Sequence, residues 1–186
     1  MVDLAEIQTA YYMVAATGVL AAAIYYMFNI RQSIQNRKAQ LFTQATQIIN
    51  QKEWMLDGIE LLNQQWLDFD DFARKYDSGV NPGNFAKRSV HFNVMENLGY
   101  YVRTGQLDVE QANTVLGGFY PVWLWFKYED VIKRYREVLS LPYYLENFEY
   151  LASRLMELNR RKGHPISFDG RGGSYAPGNE TSSGPP

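Results

Sequence analysis

The chain has 186 residues, a formal net charge of −2 and no cysteine, which excludes a disulfide framework, a thiol nucleophile and a thiolate metal site. The mildly acidic balance, with a pI near 5.7, argues against nucleic acid as a partner, because neutralising phosphates needs a clustered basic surface. Aromatic residues make up 15% of the chain, more than a core of roughly 130 residues normally needs, and surplus Trp and Tyr are enriched where partners or lipid headgroups bind.

The first predicted element is a membrane span. No charged side chain occurs from Ala10 to Ile30, and such a helix reaches about 31 Å, matching a hydrocarbon core of roughly 30 Å. Tyr11 and Tyr12 stand at one end and Tyr25 and Tyr26 at the other, the positions of interfacial aromatic anchors. Asp3 and Glu6 precede the stretch, whereas Arg31, Arg37 and Lys38 follow it. The positive-inside rule then leaves residues 1–9 as a short extracytoplasmic N-terminus and puts the rest in the cytoplasm, under the inner (plasma) membrane. A cleaved signal peptide ending in the Ala21 to Ala23 run would want basic residues before the apolar stretch, and acids stand there. A buried core helix of this length without charge is unusual in so small a soluble domain. Within the span, Gly18 and Ala22 form a small-xxx-small pair, with Thr17 and Ala21 beside it, and would let a second helix approach closely.

Residues 31–162 are expected to form a small all-α domain. Neither Gly nor Pro occurs from Val19 through Asp57, so the membrane helix continues into the cytoplasm, with Ile30, Ile34, Leu41, Ala45 and Ile48 as a narrow apolar stripe. Trp54, Ile59, Leu62 and Trp66 suggest a second helical stretch. Asp68, Asp70 and Asp71 then suit the first turn of a short helix holding Phe72 and Tyr76. After a loop at Ser78 to Gly83, Phe85, Phe92, Met95, Leu98 and Val102 follow a helical period that ends near Gly105. Asp108 and Gln111 have the spacing of a capping box for a short helix stopped at Gly117 and Gly118. Pro121 suits the first turn of a helix ending before Pro142. Leu145, Phe148, Leu151, Leu155 and Leu158 mark a last amphipathic helix, closed by Arg160, Arg161 and Lys162. From Gly163 to Pro186 the composition turns to Gly, Ser and Pro, which reads as a flexible tail.

The run Phe92-Asn93-Val94-Met95-Glu96-Asn97-Leu98-Gly99, followed by Val102-Arg103 and Gly105-Gln106-Leu107-Asp108, resembles a motif of a family of uncharacterised prokaryotic single-pass membrane proteins. Phe148-Glu149-Tyr150-Leu151, with Ile132 and Arg136 upstream, resembles its later signature. The resemblance implies an N-terminal transmembrane helix carrying a small helical cytoplasmic domain, and it transfers no catalytic residue. A Glu on an apolar helix face needs a partner, so Glu96 or Glu149 is expected to pair structurally with Arg103 or Arg136.

Other chemistry is thinly represented. Asp68, Asp70 and Asp71 could contribute carboxylates to a divalent cation, but the glycine and terminal glutamate of a calcium loop are missing, and helix capping accounts for them. His91 has no second histidine near it in sequence, far short of what zinc requires. No phosphate loop, nucleophile elbow or triad is legible, so neither a cofactor nor a small-molecule substrate is expected. The Asn179-Glu180-Thr181 acceptor sequence would be silent in a cytoplasmic tail. The reading that follows is a membrane-anchored interaction module, an accessory or scaffold subunit of a larger membrane complex, whose partners are the lipid bilayer and a membrane protein or a second copy. The alternatives are a divalent-metal enzyme built on the three aspartates with His91, and a single-span sensor.

Overall fold

The structure, a computed structural model, describes residues 3–167. Most of the expected flexible tail, with the Asn179 acceptor sequence, lies outside the described residues. The described chain is all-α, with seven helices: α1 (Leu4–Ile49), α2 (Lys52–Asn63), α3 (Phe69–Tyr76), α4 (Pro82–Arg103), α5 (Val109–Val115), α6 (Tyr120–Val138) and α7 (Glu146–Arg161). The described residues divide into two compact units that part after Thr43. α1 runs on unbroken past the apolar stretch.

In the first unit α1 is continuous from Leu4 to Thr43, 40 of its 46 residues. From Leu4 to Arg37 every side chain is exposed.

In the second unit the helix starts are set by local chemistry. Asp68 accepts a hydrogen bond from the Asp71 amide at 2.8 Å, and Asn81 accepts one from the Asn84 amide at 3.1 Å with Pro82 in the first turn of α4. At α5 both halves of the capping box form, Gln111 N–H to Asp108 at 2.7 Å and Asp108 N–H to the Gln111 side chain at 3.2 Å. Each such cap satisfies an amide that the helix itself leaves unpaired. α2 stops at Asn63, short of Trp66, because the chain turns extended at Gln64. The Tyr128 hydroxyl holds that end, lying 2.8 Å from Gln64 Oε1 and 3.1 Å from the Leu61 carbonyl. Trp66 therefore packs from a loop, its ring 5.1 Å from those of Phe72 and Tyr128.

The core forms where α4 and α7 pack together and α6 closes over them. Met95, Leu98, Leu124, Ile132, Phe148, Leu151 and Leu155 are buried there. Two residues one turn apart on α4 fix the contact. Gly99 brings the helix against the backbone of α7, so close that a Cβ would stand 1.9 Å from the Asn147 carbonyl oxygen. Glu96 accepts hydrogen bonds at 2.8 Å from the Phe148 amide and from the Asn147 side chain. α7 needs this help, since its N-cap residue is Leu145, which has no side-chain acceptor and sits in the left-handed region at φ 56°.

α6 ends in a Schellman motif, with the Leu141 amide on the Arg136 carbonyl at 3.0 Å and the Ser140 amide on the Glu137 carbonyl at 3.2 Å. Ser140, at φ 54°, occupies the position where glycine is usual.

These contacts set an expected order of stability. Gly99→Ala should cost about 3 kcal/mol or more, because the clash is with backbone that cannot rotate away. Glu96→Ala should cost about 2 kcal/mol through the uncapped amide. Ser140→Gly should stabilise by up to about 1 kcal/mol by relieving the left-handed strain. Chemical denaturation of the three variants checks the order.

Candidate functional site

The face that α4 turns to the core is apolar in its second half and polar in its first. Asn84, Arg88 and His91 are all buried, at helical spacing in line with Met95 and Leu98. Phe85, which periodicity assigns to that stripe, is instead 38% exposed. An apolar count along the chain passes over this polar line. The signal that could have found it is the continuation of the 95 and 98 face backwards by whole turns.

His91 is 1% exposed. Its imidazole stacks on Trp54 of α2 at a centroid distance of 3.6 Å, and its Nδ1 meets the Tyr120 hydroxyl of α6 at 2.5 Å. Gly58 makes room for this group, since a Cβ there would be 3.0 Å from the Tyr120 hydroxyl. Burial pushes the His91 pKa down to about 4, against a smaller upward pull from Asp57, and burial pushes the Tyr120 phenol well above its usual range. Both groups are neutral at pH 7, and they share one hydrogen bond whose direction follows the imidazole tautomer. Nε2 is buried without a hydrogen-bond partner among the described residues. Asp57 itself is tied to Lys87 at 3.1 Å, and Lys87 also reaches Glu60 at 2.6 Å.

Arg88, 2% exposed, lies with its guanidinium 4.6 Å from the centre of the Phe72 ring and 5.3 Å from that of Phe85. It donates to the Tyr76 carbonyl in the last turn of α3 at 3.1 Å, where a positive charge complements the helix dipole. Its role there is to tie α3 to α4.

The residues singled out from sequence are dispersed. Gly18 and Ala22 lie exposed on α1, with open space around Gly18, and Tyr11, Tyr12, Tyr25 and Tyr26 are exposed along the same helix. Arg136 and Glu149 are joined at 2.8 Å, and Arg136 also donates to the Tyr144 carbonyl at 2.8 Å. Arg103 pairs with Glu146 at 3.0 Å. Glu96 has no basic partner among the described residues and caps α7 instead. Asp68 caps α3, Asp70 is exposed, and Asp71 accepts from Lys75 at 2.7 Å and from the Leu67 amide at 3.0 Å. The bond from Lys75, reinforced by that amide, holds the Asp71 carboxyl below its usual range. Among the described residues no group of three His, Cys, Asp or Glu side chains could hold a metal ion; the aspartates and His91 do not converge. Arg160 and Arg161 both bind Glu157, and Lys162 reaches Glu110 at 3.5 Å. Much of the aromatic content is internal, in rings such as Phe72, Phe92, Tyr128 and Phe148.

Comparison with known protein families, with curated proteins and with solved structures returned no match.

The His91 geometry carries a pH signature. Its folded pKa of about 4 lies below the ordinary value of 6.5, so between those limits the unfolded chain takes up a proton that the folded chain excludes. Stability is full above pH 6.5 and falls as the pH drops through 4, by about 3 kcal/mol in all from this group. The double substitution His91→Phe, Tyr120→Phe removes donor and acceptor together and should flatten that part of the profile, read from denaturation midpoints between pH 7 and pH 4.

Proposed function

We propose that this chain is a membrane-anchored interaction module, an accessory or scaffold subunit of a larger membrane complex, held in the inner (plasma) membrane by residues 10–30. One observation carries the reading. The apolar stretch of α1 is long enough to cross a membrane, and none of that window is buried. Each exposed apolar Å² in water forgoes roughly 25 cal/mol, so a bare apolar helix of this length calls for lipid around it. The acids before the stretch and the bases after it favour a cytoplasmic domain, and the resemblance to single-pass membrane proteins carried by Glu96, Gly99 and Arg103 points the same way. The interaction role draws its support from the domain itself, where large apolar side chains such as Met55, Leu56 and Ile59 stay exposed.

The full-length protein should remain in the membrane pellet after alkaline carbonate extraction, and protease added to sealed inverted vesicles should digest the domain. Release by carbonate would overturn the anchor; protection of the domain would overturn the orientation.

In mild detergent the protein should return a stoichiometric partner or a second copy. Gly18→Leu with Ala22→Leu should lower that recovery at least tenfold if close helix approach in the bilayer makes the contact, with unfolding of the domain unchanged. Unchanged recovery would leave the span as an anchor only.

A further inference from the structure

Asn29, Gln32, Ser33, Asn36, Arg37 and Gln40 recur at helical spacing along α1 and line an open groove of about 520 Å³ on one side of it. Its walls are amides, a hydroxyl and a guanidinium, all of them hydrogen-bond donors. Elsewhere on the helix Thr9, Thr17 and Thr43 turn their hydroxyls onto the carbonyl four residues back. None of the six groove side chains makes a hydrogen bond among the described residues.

The charges around the groove are of one sign. From Ile7 to Lys52 the chain holds no acid, and its first three bases are Arg31, Arg37 and Lys38. In the domain many bases are tied to acids, as Arg136 is to Glu149 and Arg160 to Glu157. These three enter no ion pair among the described residues. Arg37, which is exposed, borders the groove, whereas Arg31 and Lys38, two turns apart, stand on the opposite face of the helix.

Depth supplies the ligand. Asn29 lies in the last turn of the uncharged stretch from Ala10 to Ile30, so in a bilayer the groove opens at the headgroup layer, about 5 to 8 Å thick on each side. Arg37 follows Ile30 by roughly 10 Å along the axis. Helix side chains lean toward the N-terminus, which here is the membrane side, and a long basic side chain can bring its charge back to the level of the phosphates.

We propose that this groove seats the phosphate of an anionic phospholipid headgroup, with Arg37 as the charged contact and Gln32, Ser33 and Asn36 as donors. A second copy lying parallel along the same face would instead set Arg37 against Arg37 at equal depth, where like charges repel. The proposal rests on the membrane reading above.

The full-length protein in mild detergent is given equimolar phosphatidylglycerol and phosphatidylcholine, and the lipid it retains is read by native mass spectrometry. Phosphatidylglycerol should be retained about fivefold over phosphatidylcholine, the factor that one base near an anionic surface supplies. Arg37→Gln should remove most of that preference, and Ser33→Ala with Asn36→Ala should lower it at unchanged charge, while Arg31→Gln keeps it. Far-UV circular dichroism should be the same for all variants. No preference, or one lost in Arg31→Gln and kept in Arg37→Gln, overturns the proposal. A preference kept in full by the Ser33, Asn36 pair overturns the groove as the seat and leaves diffuse attraction. Displacement of the lipid by excess inorganic phosphate overturns lipid as the source, and rapid oxidative cross-linking of Asn36→Cys between copies makes a second copy the occupant. Any of these results with the protein still in the carbonate-extracted pellet sinks the headgroup site alone; release by carbonate sinks the anchor and the site together.

Discussion

The start of α7 is the place on which the rest of the domain depends. A helix that begins at a left-handed leucine brings no side-chain cap of its own. Glu96 meets the Phe148 amide from α4 at 2.8 Å, and Gly99, one turn on, removes the side chain that would hold the two backbones apart. Satisfying buried amides and allowing close approach are separate requirements. Here two residues of one helix turn meet both. Leu145, Phe148, Leu151 and Leu155 are thereby brought onto the faces of α4 and α6.

Polar groups elsewhere in the core follow the same economy. Arg88 holds the C-terminal end of α3, Arg136 holds Glu149 and the Tyr144 carbonyl, and His91 sits neutral between Trp54 and Tyr120. Each ties one helix to another element of the domain. Seen with its partners, it acts as a fastener between elements of the domain.

The apolar stretch of α1 and the domain meet opposite conditions, one without a buried residue and the other with buried polar groups tied into helix junctions. A helix satisfies its own backbone and so tolerates lipid, whereas the domain must satisfy its polar atoms through tertiary contacts.

The sequence by itself determined the helices, because their signals are local. The cap at Asp68, the Asp108 to Gln111 box and the uncharged run from Ala10 to Ile30 all act within a few residues or over one segment. It also singled out Glu96, Glu149, Arg103 and Arg136 as groups needing partners. Which partners they took was decided by the tertiary structure: Glu96 meets an amide 52 positions away, and His91 meets a tyrosine 29 positions away. The inward turn of Asn84 and Arg88 belongs to the same class. Their energies come from contacts between helices, and a one-dimensional period carries no information on which face of one helix another will cover.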